Sequence, residues 1–167
     1  MIVQLGAFTY QKNYDFTVKL ANSLKQRKKV FFVLYGDGAD KAKIRDQIQK
    51  LGLENKVILN RSVANVNEIL CAADGVIFPS RFEPFGIVAL EAQAAGVPIA
   101  VSNVFVNELN ITPLISYLHL DVNRWENWIL NLTINQIHEE KNIHIVLIKV
   151  DIIFMVTLKN CFYFLKK

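Results

Sequence analysis

At 167 residues, with 52% hydrophobic and 20% charged side chains, the chain has the balance of one ordinary globular domain, which excludes a disordered or fibrous protein. Nineteen basic against fifteen acidic residues give a net charge of +4, but the lysines are scattered among acids without a block of five or six like charges. Nucleic acid is therefore not an expected partner, and small anionic ligands are the milder implication.

In chain order, short β-branched runs alternate with helical stretches. Ile2 to Leu5 reads as a strand, and Tyr14 to Gln26 as a helix with Phe16, Leu20, Ala21 and Leu24 at helical spacing. Val30 to Tyr35 is the next strand, closed by Gly36-Asp37-Gly38, and Lys41 to Leu51 a helix stopped by Gly52. Val57 to Leu59 predicts a strand, Asn65 to Ala73 a helix, Gly75 to Phe78 a strand, Gly86 to Ala95 a helix stopped by Gly96, and Pro98 to Val101 a strand. This rhythm predicts an α/β fold, a Rossmann-like parallel sheet with helices on both faces and ligands at the carboxyl ends of the strands.

Beyond Val101 the pattern fades, apart from an amphipathic helix over Asp121 to Leu132 with Trp125, Trp128 and Ile129 on its buried side. The expected division is a ligand-binding domain over residues 1–135 and an atypical hydrophobic tail over 136–167. Ile143 to Leu165 is dense in apolar residues, but Lys149, Asp151 and Lys159 interrupt it before the ~18 uninterrupted apolar residues of a membrane span. The tail is expected to be a buried or self-pairing strand segment rather than a membrane anchor.

Cys71 and Cys161 form no CxxC or Cys/His pattern, and one pair so far apart suggests neither a metal site nor a disulfide framework. Met1 to Leu5 runs into Gly6 and a polar loop with no signal-peptide pattern. A reducing, cytoplasmic setting is expected, the inner face of the membrane being the alternative. Opening on a strand also implies sequence upstream.

The most informative stretch is Pro79-Ser80-Arg81-Phe82-Glu83-Pro84-Phe85-Gly86-Ile87-Val88-Ala89-Leu90-Glu91-Ala92. It turns from a strand into a helix, with Glu83 on the loop and Glu91 about a turn and a half into the helix at ~3.6 residues per turn. Backbone N–H groups near Phe85, Gly86 and Ile87 are expected to point outward at the positive end of the helix dipole, where a diphosphate fits. Carboxylates accept hydrogen bonds from vicinal hydroxyls, so two of them flanking an anion site suit the two sugar rings of a sugar nucleotide. An isolated E-x7-E pair would more often be two solvated acids. Its setting within P-S-x-x-E-P-F-G-x-x-x-L-E-A carries the functional reading.

This segment resembles the E-x7-E signature of glycosyltransferase family 4, a group with the two-domain GT-B fold. Leu5-Gly6-Ala7-Phe8 with Gln11-Lys12-Asn13 is similar to the family's opening G-R-x-x-x-x-K-N element, and Leu34 to Gly38 to its G-x-G strand end. Ala72-Ala73-Asp74, Ile77 to Ser80 and Ala95 to Pro98 fit as well. The resemblance runs over about residues 1–110, and nothing after Trp125 is similar to the family's closing helices.

The resemblance implies the donor-binding, C-terminal half of a retaining glycosyltransferase, moving a hexosyl unit from a nucleoside diphosphate sugar, UDP-linked by family habit, to a hydroxyl acceptor. Glu83 would contact the donor sugar near the reacting centre, Lys12 would neutralise the leaving diphosphate, and Glu91 would hold ribose hydroxyls, with Phe85, Gly86 and Ile87 beside the donor. Lys12 also has the reading of a solvated loop lysine. Asn13 would be an N-cap or a loop anchor, while Gly36 and Gly38 serve the turn. No cofactor and no metal are implied: Asp-x-Asp is absent, and His119, His138 and His144 have no metal-ligand spacing. The acceptor, a glycan or a lipid-linked sugar, would be met through an N-terminal domain missing from this chain.

Two departures matter. Ala7 stands where the family usually has Arg, removing one diphosphate cation that a lysine cannot replace as a bidentate fork. Arg61 precedes Ser62 where a glycine is common, and would either crowd the base pocket or supply a replacement cation. The competing reading is a truncated, catalytically inactive fragment that binds nucleotide or another polypeptide. A sugar-nucleotide epimerase of related fold is the third, disfavoured by the second glutamate.

Overall fold

The computed structural model describes residues 1–135, and the expected tail, with His138, His144 and Cys161, lies outside the described residues. The elements are β1 (Ile2–Leu5), α1 (Tyr14–Ser23), β2 (Phe32–Tyr35), α2 (Lys41–Lys50), β3 (Val57–Asn60) and α3 (Val66–Ala72). They continue as β4 (Gly75–Phe78), α4 (Ile87–Ala94), β5 (Ile99–Ser102), β6 (Ile115–Leu118) and α5 (Val122–Asn135). The six strands form one parallel sheet in the order β3-β2-β1-β4-β5-β6.

Strand side chains alternate between faces, and both faces are dry. Ile2, Phe32, Leu34, Val57, Ile77 and Ala100 join the core beneath α1, α2 and α5, where Trp125 and Ile129 pack. Val3, Leu5, Val33, Val76, Phe78 and Ile99 face α3 and α4. The sequence marks this two-sided burial with nearly continuous apolar runs in the strands.

Gln4 is the polar exception on β1, 2% exposed. Its amide is satisfied on both sides: Nε2 donates to the Lys12 carbonyl at 2.8 Å, and Thr17 Oγ1 donates to Oε1 at 2.5 Å. A buried amide left without these partners would cost about 1–3 kcal/mol, so the pair stabilises the fold while pinning the loop that carries Lys12.

One element was missed in the sequence reading. β6 was not expected; it is an edge strand of four half-buried residues, too short and too weakly patterned to stand out. Cys71 lies on α3, and the other cysteine lies outside the described residues. Among the described residues no helix is long and apolar enough to cross a membrane.

Candidate functional site

β1 and β4 are neighbours in the sheet, yet the helices that follow them, α1 and α4, depart to opposite faces. Their carboxyl ends therefore open the crevice at the point where strand order reverses, the usual ligand position in a doubly wound sheet. The loop after β1, Gly6 to Asn13, contains a 3-10 turn over Tyr10–Lys12. The loop after β4 runs from Pro79 to Gly86.

The two loops are fastened together. Arg81 N–H donates to the Gln11 carbonyl at 2.8 Å, and its guanidinium donates to the Tyr10 carbonyl at 2.6 Å while lying 4.1 Å from the Tyr10 ring centroid. Asn13 Nδ2 donates to the Pro79 carbonyl at 2.9 Å. Among the described residues Asn13 is the non-glycine residue with positive φ, at 57°, and its side chain makes no cap bond to α1. Of the two roles left open for it, the loop anchor is the one the structure shows. Ser102 Oγ, at the end of β5, holds the Ser80 carbonyl at 2.6 Å.

The fastening brings Lys12 and Glu83 into an ion pair across the crevice. Glu83 is only 9% exposed, so water does little for its charge and the ammonium of Lys12 is its main compensation. Its other oxygen accepts from Gly86 N–H at 3.3 Å, and Ser80 Oγ lies 3.4 Å from the Lys12-bound oxygen. The Gly86 N–H is thus not open to a ligand in this arrangement, contrary to the expectation for that group: the preceding carboxylate reaches it first.

Gly86 is the N-cap of α4 with φ 68°, and a Cβ there would lie 2.8 Å from Phe105 Cε1 and 2.9 Å from Leu109 Cδ1. Glycine is needed both for the left-handed backbone and for the close approach of the next layer. A cavity of about 290 Å³ lies over this junction, near the lower limit of small-ligand sites. Gly6, Lys12, Glu83, Phe85, Gly86 and Ile87 are among the residues that line it. Phe85 and Ile87 are largely exposed, offering an apolar wall beside the charges.

Glu91 does not line that cavity. It stands one turn beyond Ile87 on the same face of α4, and burial pushes its carboxyl above the usual carboxylate range. No hydrogen bond or ion pair relieves it among the described residues.

Gly36 and Gly38 act by proximity. A Cβ on Gly36 would lie 1.8 Å from the Gly6 carbonyl oxygen, and one on Gly38 2.5 Å from that of Phe8, so the β2 loop passes directly under the β1 loop. The same loop is tied to β3: Ser62 donates from N and Oγ to Asp37 at 3.0 and 2.7 Å, and Lys41 donates to the Gly36 and Asn60 carbonyls. These bonds, the Ser62 backbone first, hold the Asp37 carboxyl well below the usual carboxylate range. Ala7 and Arg61 are both exposed on these loops. Arg81 and the Asp37–Ser62–Lys41 knot were not picked out by the sequence; Arg81 occupies a variable position of its motif, and the knot joins the β2 loop and the start of α2 to the loop after β3. Among the described residues no group of His, Cys, Asp and Glu could hold a metal ion.

A parallel sheet in this order, with an ion pair and a glycine-capped helix at its switch point, defines a Rossmann-like domain of the GT-B type. The family model for glycosyl transferases group 1 matches residues 1–144, and the chain belongs to that family. The match continues well past the motifs that end near residue 110 and past Trp125, correcting the expectation that the family likeness stops there. An uncharacterized glycosyltransferase of Methanocaldococcus jannaschii is 37% identical over 106 residues, covering 62% of this chain and 27% of that protein. The alpha-monoglucosyldiacylglycerol synthase of Streptococcus pneumoniae is 34% identical over 112 residues, 65% of this chain and 25% of the synthase. Anabaena HepE, solved with UDP and glucose, superimposes with a TM-score of 0.74 at 19% identity, over 99% of this chain and 48% of its own. The chain thus spans about a quarter of the length of these curated relatives.

Proposed function

We propose that this chain is the donor-binding half of a retaining glycosyltransferase that moves a hexosyl unit from a UDP-linked sugar to a hydroxyl of a glycan or lipid-linked acceptor. The observation that carries the reading is the Lys12–Glu83 pair at the mouth of the switch-point cavity. Lys12 supplies the fixed cation for the diphosphate, whose charge grows as the glycosidic bond breaks, and Glu83 accepts hydroxyl hydrogen bonds from the transferred sugar. Glu91, one turn along α4, takes the ribose hydroxyls. Phe85 and Ile87 cover the ligand, and Gly86 lets the backbone approach it. In this reading the protein's own cation and helix dipole do the work often given to a divalent ion, so no metal or cofactor takes part. The acceptor is met by a second domain, for which the longer relatives have room, and closure of the cleft excludes water.

The family match supports the reading, as do the relatives named as glycosyltransferases and the UDP-bound neighbour. The exposed Ala7, where a second cation was expected, favours the alternative of an inactive nucleotide-binding fragment. Calorimetric titration of the chain with UDP, GDP and ADP tests the proposal. Saturable binding led by UDP is expected, with UDP-glucose binding as well. No binding of any of them would overturn it, and binding of UDP without UDP-glucose would favour the inactive fragment.

A further inference from the structure

Resting on that reading of the site, we infer that Glu83 is a specificity-determining residue that makes the domain prefer an intact sugar nucleotide to the nucleoside diphosphate left after transfer. Any diphosphate that takes the Lys12 ammonium must take it from Glu83, because the two are ion-paired. The partners are unequal in freedom. Glu83 is 9% exposed and is held at the strand-to-helix junction by Gly86 N–H and Ser80 Oγ, whereas Lys12 is 23% exposed on a flexible chain lying along Gly6. Lys12 is therefore the partner that moves.

What it leaves behind decides the outcome. A nearly buried carboxylate stripped of its cation cannot turn to water and repels the incoming phosphates. A sugar nucleotide brings hydroxyls that donate to Glu83 as the ammonium leaves, so the exchange is compensated. A nucleoside diphosphate has only its ribose hydroxyls, which the donor-site reading gives to Glu91, and brings none to Glu83. The same carboxylate that receives the sugar thus raises the free energy of the product complex, which favours release once the sugar has gone.

The test is calorimetry on the 167-residue chain and its Glu83→Gln variant, with UDP and UDP-glucose as probes and thermal melts to show that each protein is folded. Glu83→Gln is expected to bind UDP roughly three- to tenfold more tightly, the scale of a partly exposed charge pair released from competition, and UDP-glucose no more tightly than before. In a Lys12→Gln background the same Glu83→Gln change should tighten UDP binding by clearly less, since competition for the ammonium is gone and only the carboxylate's repulsion of phosphate is relieved. Should Glu83→Gln fail to fold, Glu83→Asp lengthens the pair and is expected to shift UDP affinity in the same direction by less. Unchanged or weaker UDP binding in Glu83→Gln, or in Glu83→Asp where that variant stands in for it, overturns the inference while leaving the donor-site reading intact if Lys12→Gln still weakens UDP. Absence of UDP binding in every protein, the unaltered chain included, removes the donor-site reading and this inference with it.

Discussion

Helix α4 begins and ends on a left-handed glycine, and the two make a matched pair for dissecting the strand-to-helix turn. Gly86 has φ 68° and a Cβ there would meet Phe105 and Leu109 at 2.8 and 2.9 Å; Gly96 has φ 73° and open space within 4 Å. Alanine at either position pays the left-handed backbone cost of about 1–2 kcal/mol. Only at position 86 does it also overpack the core, because Phe105 and Leu109 are 4% and 3% exposed and have nowhere to go, which adds about 1–3 kcal/mol. The expected losses are about 1–2 kcal/mol for Gly96→Ala and about 2–5 kcal/mol for Gly86→Ala. At about 2–4 °C per kcal/mol for a chain of this size, the melting temperatures should separate by several degrees. Circular dichroism melts of the three proteins measure this. UDP titration should show a further difference, since only Gly86→Ala displaces the N–H that Glu83 holds at 3.3 Å. Equal losses at the two sites, or a greater loss at Gly96, would refute the claim that the glycine at the turn is required by packing.

Two other perturbations follow from the same geometry. Asn13 holds the Pro79 carbonyl through Nδ2 in a left-handed conformation, while its buried Oδ1 has no hydrogen-bond partner. Asn13→Ala is expected to cost about 2 kcal/mol in urea unfolding, and Asn13→Gly about 1 kcal/mol less than that because glycine accepts the backbone; an unaltered midpoint in Asn13→Ala would contradict the anchor role. Burial raises the Glu91 carboxyl above its usual range, so the folded chain binds that proton to higher pH than the unfolded chain does. The ionised group therefore works against folding at pH 7, and the penalty disappears as pH falls below the ordinary carboxylate range. Glu91→Gln should melt higher than the unaltered chain at pH 7, match it at about pH 3.5, and bind UDP roughly tenfold more weakly. A lower melting point at pH 7 would show that Glu91 is a structural residue.

The alternation of apolar runs and helical periods was enough to predict the parallel sheet and most of its elements, because each strand or helix is a local pattern of burial. β1 and β4 have the bounds read from the sequence, Ile2–Leu5 and Gly75–Phe78. Ends slipped where turns intervene: β2 starts at Phe32 rather than Val30, whose N–H donates to the Arg27 carbonyl, and α1 closes at Ser23. The edge strand β6 escaped because half-buried residues carry little periodic signal.

The candidate site residues were picked out of the sequence for a similar reason. Lys12, Glu83, Glu91 and the Phe85-Gly86-Ile87 turn lie in contiguous motifs whose residue types suit anion and hydroxyl recognition, and the sequence alone singled them out as candidates on an α/β sheet, of which all but Glu91 line the cavity. Their arrangement was not legible. Strand order β3-β2-β1-β4-β5-β6 depends on which long-range pairings win, and local periodicity is blind to that. Only the tertiary structure placed β1 beside β4, fastened their loops through Arg81 and Asn13, and set Lys12 against Glu83 in an ion pair across 71 positions of sequence.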